Sequence, residues 1–165
     1  MRLKTRRLLL PLFFATSVFS SEDYQISLPQ FAEQHAASQY EKKYSSSPEY
    51  TVLRNISYAK RKGKRPGHIL GELDIIVLKG DEIVEIVEVK YTNSNAGKAR
   101  RKGRDQLQRF AISCVLKQCI FVKDGQRLDL SVPNINKIKL GFILYQGTDE
   151  SHLMDEYHQF GLTDD

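Results

Sequence analysis

Residues 71–90 read GELDIIVLKGDEIVEIVEVK, two apolar, β-branched runs around Gly80-Asp81, and that composition specifies a β-hairpin. Strands this apolar belong in a core, yet they carry Glu72 and Asp74 on the first run and Glu88 and Lys90 on the second. A buried charge without a partner is heavily penalised, so any fold of this chain has to supply partners here. If the turn is a three-residue loop, Gly80 to Glu82, Lys79 faces Ile83, Asp74 faces Glu88 and Glu72 faces Lys90, all on one side of the sheet. A two-residue turn would send Asp74 and Glu88 to opposite faces.

Two facing carboxylates repel unless something positive lies between them. A hard divalent cation, Mg²⁺ or Mn²⁺, fits an all-oxygen ligand set and commonly also binds a substrate phosphate. Lys90, two residues past Glu88 on the same face, is placed to orient a water or to stabilise negative charge. Such a set suits phosphodiester hydrolysis. The competing reading is a solvated face on which Lys90 pairs with Glu72 or Glu88.

Elsewhere the sequence predicts a helix from Ser27-Leu-Pro-Gln30, a capping box with proline in the first turn, to about Tyr44. Leu28, Ala32, Ala36, Tyr40 and Tyr44 make its apolar arc, and Glu33 falls inside that arc. Tyr50–Tyr58 reads as a strand, 61–67 as a basic loop, Ile69–Leu78 and Glu82–Tyr91 as the hairpin, and 93–103 as a second basic loop. A helix is expected over Arg104–Lys117, short strands at Cys119–Val122 and Leu128–Val132, and a firm one at Lys137–Gln146. The order is α-β-β-β-α-β with an insertion before the last strand. Cys114 and Cys119 read as free core thiols, with a bridge open only if the helix ends between them, and their spacing does not suit a structural zinc.

Residues 1–20 combine Arg2, Lys4, Arg6 and Arg7 with an apolar run from Leu8 to Phe19, the layout of a signal peptide or N-terminal anchor. The expected organisation is therefore this segment, a domain over 21–148, and an acidic tail over 149–165. Export to the periplasm or outside the cell follows, with a cytoplasmic product as the alternative, and no stable transmembrane span is expected, because the run is too short. The segment holds four of the 25 basic residues and none of the 20 acids, leaving 21 against 20. Distribution therefore matters more than net charge. Lys60, Arg61, Lys62, Lys64 and Arg65 form one basic cluster, and Lys98, Arg100, Arg101, Lys102 and Arg104 another; paired around an acidic site, they suit a polyanion.

At these residues the sequence resembles the PD-(D/E)xK nuclease superfamily: Asp74 within GELDII, then Glu88-Val89-Lys90 as E-x-K on the next strand. Within it the chain looks most like the YraN group of small endonuclease-like proteins, and more distantly the archaeal Holliday-junction resolvases. Ala32-Glu33, Asn55, Gly71-Glu72-Leu73-Asp74 and Val87-Glu88-Val89-Lys90 carry that likeness, over roughly residues 28–118. The resemblance implies an α/β (α+β) fold with a restriction-endonuclease-like αβββαβ core, a mixed central sheet flanked by helices. It implies Mg²⁺ (or Mn²⁺) held by Asp74, Glu88 and the backbone carbonyl of Val89, Glu33 contacting it through water, and Lys90 assisting catalysis. Gln106 resembles a helix glutamine found near the site in some members. His68 is a candidate general base.

The expected function is metal-dependent hydrolysis of nucleic acid by a DNA endonuclease, with RNA as the less favoured substrate and a homodimer left open. The alternatives are a nucleic-acid-binding protein that keeps the nuclease fold without activity, and an exported interaction protein whose acids and lysine are a surface ion pair.

Overall fold

The computed structural model describes residues 26–62, 65–115, 119–132, 135–150 and 154–160. The expected signal peptide and Lys64 lie outside them. Ser27 starts helix α1 (Leu28–Tyr44) as the capping box requires: its backbone N–H and its hydroxyl both donate to Gln30 Oε1, at 3.2 and 2.9 Å. Ala32, Ala36 and Ala37 are buried, so small side chains let α1 lie close against the sheet.

Seven strands follow: β1 (Tyr50–Lys62), β2 (Arg65–Lys79), β3 (Glu82–Thr92), β4 (Cys119–Lys123), β5 (Gln126–Leu128), β6 (Lys139–Gln146) and β7 (Met154–Phe160). They form one sheet in the order β5-β4-β1-β2-β3-β6-β7. The β3–β6 pair is parallel and the other pairs are antiparallel. A parallel pair needs a long crossover. Here it holds helix α2 (Ala96–Phe110), a π-helical turn over Ala111–Val115 and the β4–β5 hairpin.

The two helices cover opposite faces of the sheet. Ala32, Ala36 and Tyr40 of α1 pack with Ile75, Val77, Val87 and Val89, whereas Leu107 and Phe110 of α2 pack with Ile76, Ile86 and Phe142. The molecule is thus mixed α/β, a mixed sheet flanked by helices, which agrees with the expected class at that level.

Three expectations change. The KRKGKR cluster is no open loop: Arg61 pairs with Pro66 and Lys62 with Arg65, so it prolongs the β1–β2 hairpin into a basic arm. The second basic loop is helix instead, since α2 begins at Ala96, where the Asn95 side chain accepts from Lys98 N–H at 2.8 Å. Lys98, Arg100, Arg101, Lys102 and Arg104 then ride on its exposed side, and Ala99, Gly103, Leu107 and Phe110 make the buried one. Seven residues of the expected acidic tail form β7, the edge strand beside β6. The helix does end between the cysteines, and neither is in a disulfide. No helix among the described residues is long and apolar enough to cross a membrane.

Candidate active site

The turn joining β2 and β3 is shorter than expected. Lys79 pairs with Glu82 across the two residues Gly80 and Asp81, and Gly80 supplies the left-handed conformation (φ 63°). Left alone, this register would separate Asp74 from Glu88. A β-bulge intervenes, because Leu78 pairs with Ile83 but Val77 pairs with Glu85, which leaves Val84 as an extra residue. Beyond it Ile76 faces Ile86 and Ile75 faces Val87, the register that brings Asp74 level with Glu88. The mechanism of the register differs from the expected one, and its result at the acids is the same.

At Asp74 the hairpin ladder ends and the side chain replaces it: Val89 N–H donates to Asp74 Oδ2 at 2.6 Å. The strands turn here. Leu73 and Ile75, which a regular strand would place on one face, belong to different core clusters, and Asn55 between the flanking pairs of β1 has φ 52°. That left-handed residue kinks β1 and β2 together, so Asp74 is turned toward the end of β3.

Glu88 is 0% exposed, and among the described residues its Oε1 has no hydrogen-bond partner. Burial first, and then the negative charge of Asp74, push its carboxyl well above the usual carboxylate range, while Lys90 pulls the other way. The Lys90 ammonium lies 3.1 Å from Glu88 Oε2, 3.0 Å from the Val89 carbonyl and 3.6 Å from Asp74 Oδ2. One cation therefore sits on all three groups singled out as metal ligands.

Glu33 reaches the same place from α1. Its carboxyl is raised, first by burial and then by Asp74, with Lys90 lowering it and Glu72 raising it, so these groups share one electrostatic field. Glu72 itself is exposed, and its expected pairing with Lys90 is corrected: the lysine is taken by Glu88 and Asp74. Gln106 does arrive, donating from Nε2 to the Glu72 carbonyl at 3.0 Å and tying α2 to the strand that carries Asp74. His68 stays out, exposed on β2 six residues from Asp74, about 20 Å of extended chain.

Whether these residues fit a metal ion can be judged from the donors. Among the described residues no three His, Cys, Asp or Glu side chains converge closely enough to hold an ion on their own. Two carboxylates and a main-chain carbonyl do converge, and a buried oxygen of Glu88 lacks a partner. This oxygen-only set suits a hard cation that keeps part of its water shell.

Several contributors carried no clear signal in sequence. Tyr58, buried beneath the site, has its hydroxyl pushed up to about 12 by burial, then by Cys114 and by Glu88. Glu85, on the opposite face, is the second buried acid among the described residues of the sheet: Tyr40 and Tyr44 donate to it at 3.1 and 2.9 Å, and Lys139 stands at 3.3 Å. The Tyr40, Lys43, Tyr44 spacing on α1 was its readable sign. No family model matches the chain, and no curated protein or solved structure matches it either.

Proposed function

We propose that this protein hydrolyses phosphodiester bonds in nucleic acid, DNA before RNA, with Mg²⁺ or Mn²⁺ held by Asp74, Glu88 and the Val89 carbonyl. The observation that carries the reading is Glu88: a fully buried carboxylate with an unpartnered oxygen, set beside Asp74. Such an arrangement is costly to the fold, and perturbed acids of this kind cluster at functional sites.

A bound divalent ion would supply charge neutralisation at the phosphate and a water of lowered pKa. The rest is work for the chain's own side chains. Glu88 and Asp74 would hold the ion from neighbouring strands, with Asp74 itself held by the Val89 N–H. Lys90, once released from the acids, offers its ammonium to the attacking water or to the developing charge on the phosphate. Glu33, a better proton acceptor than an ordinary glutamate because burial and Asp74 raise its carboxyl, can take a proton from solvent beside these groups. The basic β1–β2 arm and the exposed arginines of α2 provide two surfaces for the phosphate backbone.

The test is incubation of the full chain with circular and branched DNA in Mg²⁺, Mn²⁺ or EDTA, beside Asp74→Ala and Lys90→Ala. Cleavage by wild type in metal, lost in EDTA and in both variants, is expected. Absence of cleavage with retained, salt-dependent DNA binding would overturn hydrolysis in favour of binding alone.

A further inference from the structure

Two strands over from the acids lies a cleft of about 400 Å³ that none of the hydrolytic residues lines. Glu88 of β3 is level with Phe142 of β6, and Phe142 with His158 of β7. Adjacent strands lie about 4.8 Å apart, so His158 stands about 10 Å from Glu88 along one row. The His158 ring stacks on Phe142, centroids 4.7 Å apart and planes 24° apart. Helix α2 roofs the row closely because Gly103 faces Phe142; a Cβ there would lie 3.0 Å from the ring. That close approach brings Arg100, Arg101 and Arg104 to the cleft wall opposite His158.

The polar groups here already hold an anion. Glu156 of β7 accepts from Arg100 Nη2 at 2.7 Å and lies 3.1 Å from His158 Nε2. The Arg100 pair is exposed, at 45% for Arg100 and 56% for Glu156, and exposed pairs break easily; His158 is half-buried. Asp155 and Tyr157, the neighbours of Glu156 on β7, point to a cavity on the opposite face. Arg101 is exposed and has no ion-pair partner among the described residues.

We propose that this cleft is a phosphate-binding subsite for one strand of a nucleic acid, and that the Glu156 carboxylate stands in the phosphate's place in the free protein. Its identification of the ligand rests on the hydrolytic reading above. A separation of about 10 Å matches roughly three nucleotides of rise along one strand of duplex DNA, so a strand held here crosses Glu88 within a few residues. Guanidinium groups suit a phosphate through paired N–H donors. The bound strand fixes register at the acids without reading bases.

The experiment is fluorescence anisotropy of a labelled short single-stranded oligonucleotide in EDTA, across a salt series, with wild type, Arg101→Ala, Glu156→Gln and Lys79→Ala. Arg101→Ala is expected to lower the slope of log K against log salt by about 0.7, the worth of one phosphate on a single strand. Glu156→Gln is expected to tighten binding about two- to five-fold, since an exposed ion pair no longer competes. Lys79→Ala, at the β2–β3 turn, should change neither. Circular dichroism confirms that these surface variants fold. No binding by wild type, or unchanged slope and affinity in both Arg101→Ala and Glu156→Gln, would overturn the subsite. Cleavage in Mg²⁺ is scored separately on the same preparations. Binding with these shifts but no cleavage keeps the subsite and removes the hydrolysis, whereas cleavage with no shifts does the reverse.

Discussion

Replacing Lys90 by methionine keeps the stem and deletes the charge that holds Asp74 and Glu88 together. The three side chains are 16%, 12% and 0% exposed, so the pairs are largely shielded from water. Breaking a buried pair by removing one partner costs about 3–5 kcal/mol, because the other charge is left uncompensated. For a chain of this size each kcal/mol is worth about 2–4 °C, so Lys90→Met should melt on the order of 10 °C below wild type in EDTA at pH 8. The deficit should shrink as the pH falls, because Glu88, already raised, takes up a proton. Adding Glu88→Gln to Lys90→Met should recover most of it. Mn²⁺ at about a hundred times the wild-type Kd adds about 2.7 kcal/mol to wild type if it binds only the folded protein. That gain should be larger in Lys90→Met than in wild type, where the ion must first displace the ammonium. The assay is differential scanning fluorimetry in EDTA and in Mn²⁺. Equal melting temperatures for wild type and Lys90→Met in EDTA would refute Lys90 as the counterion. An equal Mn²⁺ gain in both proteins would refute the acids as the cation's site.

Glu88→Gln should abolish cleavage yet raise stability at pH 8 by on the order of 1 kcal/mol. A folded-state pKa above the unfolded value favours folding only at low pH, so the advantage should vanish as the pH falls toward 4.5, checked by urea denaturation at several pH values. Glu85→Ala, which strands the Tyr40 and Tyr44 hydroxyls, should cost about 1–3 kcal/mol for each by the same measurement, and Glu85→Gln, which keeps an acceptor, clearly less. Cys114 is buried, and burial followed by its hydrogen bond with Cys119 pushes its thiol up, so iodoacetamide at pH 8 should modify it only in urea, as read by peptide mass spectrometry.

What the sequence could specify was what short-range chemistry specifies. Ser27 and Gln30 announce the start of α1, and alternation announces β2 and β3. The face shared by Asp74 and Glu88 was also legible, although through the wrong turn: a two-residue turn plus one bulged residue shifts the register as far as a three-residue loop. Nothing in Val84 marks it as the extra residue, since its place is decided by packing toward α1. The start of α2 was hidden by its charges, although Lys and Arg are good helix formers and Ala99, Gly103 and Leu107 recur at four-residue spacing. Strand β7 was hidden because MDEYHQF lacks an apolar alternation; it is held by its ladder to β6. Glu33 stood out as a carboxylate on an apolar arc, whereas Glu156 could not, because its partners Arg100 and His158 lie far along the chain.

The bulge at Val84 makes the hairpin behave like a reading frame. Ironing out the bulge while keeping that valine would extend the tight-turn pairing along the whole of β3, with Val77 facing Val84 and Asp74 facing Val87, and exchange the residues presented to its two sides. Glu88 would then be delivered to the tyrosines of α1, and Glu85 to the hydrophobic layer under α2. Changes in the turn itself, by contrast, are absorbed before they reach the acids only if this residue count is kept. The chemistry of the sheet is thus set by an integer, counted over a stretch in which no residue takes part in that chemistry.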